Sequence, residues 1–311
     1  MENTWRKEFL SYLHWMHLPN LTHILMLFKD TKLQLSKIIE GNINSKTKEW
    51  LADKITTITH TKSTKDLYLT YSLLAPKIDV NQPFDTSMIT AELINYIKIQ
   101  DGNFLQVARM YFLIKVLEAD EEFFSEKVAN IIEVADTSEL ETFLKFLILL
   151  PNPEKYKMVA VDALRTNISP VFNALAYYNP YPSSYFDDQQ WNQMFLKTAF
   201  MQGNLSAILN IDKRANKDLA RIISDYAHER WAAGREIDPD FWRPVIQFMS
   251  PALLEDMKRL LNSKNKFENR AGALCCYFSD NPDAKKLLNG HQNLIQQIEN
   301  AALSWQTIKE E

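Results

Sequence analysis

Apolar residues recur at helical spacing along almost the entire chain, beginning with Trp5 and Phe9. Stretches in which apolar and polar residues alternate, which would indicate half-buried strands, are hard to find. Helix start signals divide the pattern into segments of ordinary length, for example Asp136 before Leu140 and Ser250 before Leu253. We therefore predict an all-α fold with roughly a dozen to sixteen helices.

The order of these segments suggests a repeat architecture. Between Asn103 and Asn167, helices and short turns follow one another at spacings that suit stacked antiparallel hairpins. This order predicts a HEAT-like or armadillo-like α-solenoid, and because no strict sequence period accompanies it, an irregular multi-helix bundle is the alternative. An interruption around Pro83 predicts an N-terminal helical segment over 1–80 and a helical-repeat region over 81–311.

Composition argues against several classes of function. Apolar residues make up 46% of the chain and charged residues 24%, as in an ordinary globular protein. Only 6 of the 311 residues are glycine, and no two of them lie close enough to form a glycine-rich phosphate-binding loop. The net charge of −4 provides no basic surface for nucleic acid, so we expect no nucleic-acid partner.

The cysteines and the apolar runs indicate the compartment. Cys275 and Cys276 are neighbours, so they cannot form a disulfide framework or a C-x-x-C metal site, and we predict two buried thiols in a reducing compartment. The apolar run from Ile24 to Phe28 is too short for a secretion signal, and the run from Ala273 to Phe278 is far shorter than a membrane span. We therefore expect the protein in the cytoplasm.

The helix predicted over residues 191–201 carries polar residues among apolar ones. Its apolar side chains are spread around almost the whole circumference, so we expect this helix to be central. Gln193 and Lys197 stand one turn apart on it, and Asn192 occupies a separate gap. An amide and an ammonium group together offer donors and an acceptor to a ligand or to another helix.

A second helix, predicted over residues 218–233, places charged groups beside an apolar stripe. Arg230 falls within the stripe that includes Tyr226, Glu229 lies at its edge, and Asp225 precedes Glu229 by one turn. Buried charges are usually paired, because an uncompensated buried charge is strongly destabilising. The pattern indicates either an internal ion-pair network that fixes helix packing or the lining of a ligand site.

Two prolines form an elbow between these helices and the repeat region. Pro180 and Pro182 have fixed φ angles and bias Asn179 and Tyr181 away from the α region. The elbow is either a plain helix breaker or a rigid support that holds Asn179 and Tyr181 at the mouth of a pocket.

Several short motifs follow one another between Arg165 and Trp242. They are RTN at 165–167, NPYP at 179–182, NQM at 192–194 with Lys197 and Phe200, DYAHER at 225–230, AAGR at 232–235 and Trp242. In order and spacing, this motif core over 165–242 resembles the EboA family, with weaker similarity upstream to Leu67 and in the C-terminal helices.

Resemblance to the EboA family implies a helical cytoplasmic protein associated with moving a secondary-metabolite precursor towards the cell envelope. The implied partners are a small-molecule metabolite or precursor, a membrane prenyltransferase-like protein and other proteins of the same pathway. No established catalytic residue comes with the family. Matching the motif positions gives these candidates for ligand binding: Arg165, Asn167, Asn192, Gln193, Lys197, Asp225, Glu229 and Arg230. The pattern along the chain adds Asn179, Tyr181 and Tyr226.

Histidines offer little support for a metal site. His14, His17 and His23 have no Cys or carboxylate at a fitting spacing. Asp225 with His228 resembles half of a dimetal motif, but a matching second half is missing. We therefore expect no metal and no other cofactor.

Three functional hypotheses follow from the sequence. In the first, the protein is a non-catalytic binding protein in which Arg165, Lys197 and Arg230 face an anionic or polar metabolite. In the second, it is a protein–protein interaction scaffold whose polar residues are purely internal. In the third, it is an enzyme that uses Asp225 or Glu229 as a general base. The resemblance to the EboA family favours the first two.

Overall fold

The computed structural model describes residues 30–310, which fold into helices connected by loops. Among these residues are 18 α-helices and no strand, so the predicted all-α fold is confirmed. The start of the helical pattern at Trp5, the run from Ile24 to Phe28 and the three histidines at positions 14, 17 and 23 lie outside the described residues. No helix in the described range is long and apolar enough to cross a membrane.

Two compact units make up the chain, the first ending at Phe186 and the second beginning at Asp187. The chain has no regular helix between Lys77 and Ala91, so the predicted interruption around Pro83 is present as a loop. This loop lies within the first unit. The division of the chain into domains at residue 80 stays a prediction.

The first unit contains eleven of the described α-helices. They are α1 Thr31–Asn42, α2 Ser45–Thr61, α3 Thr64–Leu73, α4 Ala91–Ile99, α5 Phe104–Ala119, α6 Glu121–Ala129, α7 Ile131–Val134, α8 Thr137–Phe146, α9 Lys157–Ala163, α10 Ser169–Ala176 and α11 Tyr181–Tyr185. Short 3-10 segments cover Ala75–Lys77, Leu147–Leu149 and Pro153–Tyr156.

Helix α5 is the central helix of the first unit. Asn103 and Gln106 form a capping box at its start, and Asp120 at its end caps α6. Twelve of its 16 residues are buried, as expected for a helix that is apolar on all sides. It contacts α1, α2, α6 and α8. One helix that touches four others is compatible with the alternative, an irregular bundle, and the predicted solenoid arrangement is not confirmed.

The second unit contains the remaining seven α-helices. They are α12 Asp188–Phe200, α13 Ile211–Arg214, α14 Lys217–Ala232, α15 Pro251–Leu261, α16 Lys266–Phe278, α17 Pro282–Leu287 and α18 Gln292–Glu299. Short 3-10 segments cover Leu205–Ala207 and Pro239–Val245.

Close packing between α15 and α16 organises the second unit. Ser250 caps the start of α15, as predicted. A Cβ placed on Gly272 of α16 would lie 2.8 Å from the Cβ of Leu260 and 3.2 Å from the backbone nitrogen of Leu261, so glycine permits this approach. Helix α16 also contacts the segment Pro239–Val245, in which Trp242 is fully buried.

Both cysteine thiols of α16 lie in the core of the second unit. Cys275 and Cys276 are free and buried, which confirms the predicted pair of buried thiols. The Cys275 thiol donates a hydrogen bond to the Trp242 carbonyl at 3.4 Å. Burial raises the pKa of both thiols, that of Cys276 to about 12. In the folded protein they therefore stay protonated above the ordinary thiol pKa.

The C-terminal segment supplies a charge to the second unit. Asp240 is fully buried, and its Oδ2 lies 2.8 Å from the Nζ of Lys309, which also contacts Asp238 at 2.8 Å. The other oxygen, Oδ1, has no hydrogen-bond partner, so the ion pair with Lys309 is the main compensation for this buried charge. Burial raises the pKa of the Asp240 carboxyl, and the Lys309 ammonium opposes that shift. The end of the chain thus compensates a carboxylate in the core.

The close approach at Gly272 predicts a destabilising Gly272→Ala substitution. The added methyl group clashes with Leu260, and we expect the free energy of unfolding to fall by about 1–3 kcal/mol in urea denaturation. The matched control is Gly41→Ala in α1, where nothing lies within 4 Å of the new Cβ. There alanine should leave stability unchanged or raise it by about 0.5–1 kcal/mol. Equal stability of both variants would contradict the described packing.

The raised thiol pKa values predict a loss of stability above about pH 9. The unfolded chain releases both thiol protons near the ordinary pKa while the folded chain keeps them, so the folded state binds more protons and stability falls as pH rises. Between pH 9 and 10 the two thiols should together lower the free energy of unfolding by about 2 kcal/mol. The Cys275→Ala/Cys276→Ala double variant should lack this part of the slope, and an unchanged slope would show that the thiols are not protected.

Candidate functional site

Two of the predicted site residues lie on the surface of the first unit. Arg165 is 77% exposed and pairs with Asp162 at 3.0 Å. Asn167 is also exposed. The helix before Arg165, α9, ends at Ala163 and leaves this arginine in a solvent-exposed turn.

The elbow residues Asn179 and Tyr181 are buried in the first unit. The Asn179 amide donates to the carbonyls of Leu144 and Ala174, both at 3.0 Å, and accepts from the backbone nitrogen of Tyr181. The Tyr181 hydroxyl donates to the carbonyl of Pro153 at 2.7 Å, and burial raises the pKa of this phenol. Both side chains therefore hold neighbouring segments together, and the pattern favours the helix breaker over the pocket mouth.

Helix α12 in the second unit is exposed on one side. Asn192 is buried and exchanges two hydrogen bonds with Asn216, at 3.1 and 2.8 Å, and Asn216 caps the start of α14. Gln193 is exposed, and Lys197 is half-buried, which lowers the pKa of its ammonium group. The prediction of a central helix with Gln193 inside is wrong, because Gln193 is exposed, Phe200 is 76% exposed and one flank of α12 faces solvent.

The charged residues of α14 also lie mostly on the surface. Asp225 is exposed and pairs with Arg221 at 2.9 Å, and Glu229 is exposed. The Arg230 guanidinium donates to the carbonyl of Glu236 at 2.6 and 3.2 Å, so it binds the loop that follows its own helix. The predicted alternative of an internal ion-pair network that includes Arg230 is therefore wrong.

Tyr226, the remaining predicted residue of α14, is half-buried and packs its ring 5.1 Å from that of Phe241. The predicted residues thus differ in their surroundings, since some are exposed and others are buried within their own unit. Their binding of a ligand stays a prediction.

A buried polar cluster that the sequence analysis missed lies in the first unit. Arg109 of α5 is 2% exposed, and its Nη2 lies 3.3 Å from the Oε1 of Glu139. Its Nε donates to the carbonyl of Tyr71 at 3.3 Å, and its guanidinium carbon lies 5.1 Å from the centre of the Tyr71 ring. The Tyr71 hydroxyl donates to the Glu139 carbonyl at 3.0 Å. We call Arg109, Glu139 and Tyr71 the Arg109 cluster.

The cluster is satisfied only in part. Glu139 Oε2 accepts from the backbone nitrogen of Asp136 in the capping box of α8, but Arg109 Nη1 has no hydrogen-bond partner. Burial raises the pKa of Tyr71, while the positive charge of Arg109 opposes the shift. A buried donor without a partner is uncommon in folded proteins, so part of the cost of burying Arg109 is left uncompensated.

A cavity of about 180 Å³ opens beside the Arg109 cluster. Its apolar walls are Leu69, Ile131, Val134 and Ala135. Its polar groups come from Tyr68, Tyr71, Ser72 and Glu139. The volume is below the roughly 300 Å³ at which pockets for drug-sized ligands begin, so the cavity suits a small molecule or one end of a longer one.

A sequence signal for this cluster exists. Arg109 stands in the middle of Phe104–Leu117, where almost all neighbours are apolar, and a charge in a helix that is apolar on all sides has to find a buried partner. The same reasoning that singled out Arg230 applies to Arg109 with more force. Its partner Glu139 is recognisable only as the acidic half of a capping box.

Polar groups of the second unit form internal connections. Asp256 of α15 is 2% exposed and accepts from the Ser224 hydroxyl at 2.5 Å, and its other oxygen lies 2.6 Å from Nε2 of His228. Both oxygens are occupied, so Asp256 joins α15 to α14. Among residues 30–310, no three His, Cys, Asp or Glu side chains are grouped so that they could hold a metal ion.

The Arg109 cluster predicts a large effect of Arg109→Met. The substitution leaves Glu139 buried without its counter-charge, so we expect the free energy of unfolding to fall by about 3–5 kcal/mol in chemical denaturation. The Arg109→Met/Glu139→Gln double variant should recover part of the loss, because it leaves no unpaired charge. Arg221→Met, which breaks an exposed pair, is the control and should change stability little. Equal effects at positions 109 and 221 would contradict a buried pair.

Comparison with known proteins identifies the family. The family described as metabolite traffic protein EboA matches residues 31–246, which is over two thirds of the chain. No curated protein and no solved structure matches the chain. The matched range includes the Arg109 cluster and the motif core over 165–242. The resemblance seen in the sequence is thus confirmed, and the chain belongs to the EboA family of metabolite traffic proteins.

Proposed function

We propose that this protein binds a small metabolite without transforming it, and that the ligand occupies the cavity beside the Arg109 cluster. One observation carries the proposal: the buried ion pair of Arg109 and Glu139 adjoins a cavity whose walls are largely apolar. An apolar pocket with a few converging polar groups is the usual form of a small-molecule site.

The ion pair is hard to explain by stability alone. Well-packed apolar residues in place of a buried pair are often neutral or stabilise a protein by about 1–4 kcal/mol. Apolar residues would suit position 109, because most of α5 is buried among apolar side chains. The presence of an ion pair at this position therefore supports a role of Arg109 and Glu139 in recognising a ligand. The polar groups that reach the cavity are two phenols, a hydroxyl and a paired carboxylate, which suit orientation of a ligand better than reaction with it.

The description of the EboA family as metabolite traffic proteins supports a role in handing on the ligand. In this proposal the ligand is a secondary-metabolite precursor, and the partners are a membrane prenyltransferase-like protein and other proteins of the same pathway. At the mouth of the cavity, Leu69 is 46% and Val134 58% exposed, so an apolar part of the ligand can extend over them.

An interaction scaffold is the second candidate function, and the exposed flank of α12 favours it. Phe200 is 76% exposed, and Gln193 and Lys197 lie within two turns of it. Aromatic side chains are frequent anchors of protein interfaces. In contrast to the scaffold predicted from the sequence, whose polar residues are internal, this candidate uses the exposed residues of α12 and α14 to contact a partner protein. The enzyme hypothesis gains no such support, since both Asp225 and Glu229 are exposed.

Blocking the cavity tests the proposed function. Ala135 is half-buried in the cavity wall, and in Ala135→Phe the larger side chain should fill the space. We expect the wild-type protein, incubated with a protein-free extract of its source cells, to retain one small molecule in native mass spectrometry. Ala135→Phe should lose this adduct, and the released molecule should be unchanged in mass because no reaction occurs.

The matched control is Ala119→Phe, the same substitution at an exposed position ten residues after Arg109 on α5. This variant should keep the adduct, since position 119 lies about 15 Å along the helix from the cluster. No adduct on the wild-type protein, or an equal adduct on Ala135→Phe, would contradict binding in the cavity.

A further inference from the structure

We propose that the cavity beside the Arg109 cluster takes an amine, and that it holds the protonated amino group of a ligand with an apolar body between Glu139 and Tyr68. The inference rests on the proposed function and names the chemical class of its ligand. An alkylamine or arylalkylamine has the two parts that the cavity distinguishes, a cationic head and an apolar tail.

Glu139 is the ionic group that reaches the cavity. Its side chain is 6% exposed and lines the cavity, whereas Arg109 lies behind it. A carboxylate has about four acceptor positions, and Glu139 uses two, for Arg109 at 3.3 Å and for the backbone of Asp136 at 3.1 Å. The bond to Arg109 is long for a charge-assisted hydrogen bond, so Glu139 has capacity for a further donor.

Aromatic rings complete the site for a cation. The hydroxyls of Tyr68 and Tyr71 donate to the carbonyls of Lys127 and Glu139, so these residues offer mainly their rings to a ligand. Arg109 already lies over the ring of Tyr71. No charge lies over the ring of Tyr68 in the described part of the chain, and an ammonium group placed there gains a cation–π interaction.

The charges around the cavity also favour a cation. Glu133 and Asp136 flank the wall residues Val134 and Ala135, and both are exposed. Near Tyr68, Glu126 is balanced by its pair with Lys127. Arg109 offsets Glu139, and among residues 30–310 neither Glu133 nor Asp136 forms an ion pair. Their negative charge repels a ligand anion and attracts an ammonium group.

The apolar wall of the cavity suits the apolar tail of the proposed ligand. Leu69, Ile131, Val134 and Ala135 offer no hydrogen-bonding side chain. Outside the mouth, Leu73 follows Leu69 by one turn of α3 and is 45% exposed. A chain that leaves the cavity along this face buries apolar surface on both partners.

The test uses three ligands that share one chain: n-hexylamine, n-hexanol and hexanoate. Binding to the full-length protein is measured near neutral pH by chemical-shift titration. We expect n-hexylamine to bind at least tenfold more tightly than n-hexanol and hexanoate to bind least. Equal or tighter binding of n-hexanol or hexanoate overturns the proposal.

Two charge-matched variants locate the amino group. Glu139→Gln should weaken the binding of n-hexylamine at least tenfold and leave the binding of n-hexanol unchanged. Glu133→Gln should change the affinity for either ligand less than about threefold. Because Glu139→Gln leaves Arg109 unpaired, Tyr68→Leu serves as a second variant. Tyr68→Leu should weaken the binding of n-hexylamine severalfold and leave the binding of n-hexanol unchanged. Equal loss of both ligands in Tyr68→Leu contradicts an ammonium group over this ring.

The two proposals fail in distinguishable ways. If n-hexanol binds best and Ala135→Phe abolishes its binding, the cavity is a ligand site and the assignment of an amine is overturned. If Ala135→Phe changes neither the cell-extract adduct nor the binding of n-hexylamine, both proposals are overturned.

Discussion

The ion pair between Arg109 and Glu139 constrains the packing of the first unit, because its two buried charges need partners from several helices at once. Arg109 belongs to α5, the carboxylate to α8, and Tyr71, whose carbonyl and ring contact the guanidinium, to α3. The same carboxylate also accepts from the backbone at the start of α8. Three helices are thereby held in one arrangement, and the cavity lies beside them. A binding site whose first contacts are fixed by the fold needs little reorganisation when a ligand arrives.

Polar residues in the second unit have a different role. The amides of Asn192 and Asn216 pair with each other, Asp256 joins two helices, and Lys309 compensates Asp240. These groups pair with one another inside the unit, so they hold its helices and its C-terminal segment together. The family match ends at residue 246, before Asp256 and Lys309, so two of these three connections depend partly on residues outside the matched range.

Much of the fold could be predicted from the sequence, because helix periodicity and caps are local. The capping box at Asp136 and the start of α15 at Ser250 are examples. The direction in which Gln193 faces could not be predicted, because apolar residues surround it on α12. The sequence alone does not show that one of them, Phe200, is exposed. The contact of Arg230 depends on the loop after Gly234, whose φ of 63° no periodicity encodes. Arg109 was recognisable as a buried charge, but its pairing with a residue 30 positions away required the tertiary structure.

The most direct test of ligand binding in the first unit is a crystal structure of the protein grown with n-hexylamine. We expect electron density for one amine in the cavity, with its nitrogen within hydrogen-bond distance of a Glu139 oxygen and its chain against Leu69 and Val134. A cavity filled only by water, or an amine bound elsewhere on the protein, would contradict it.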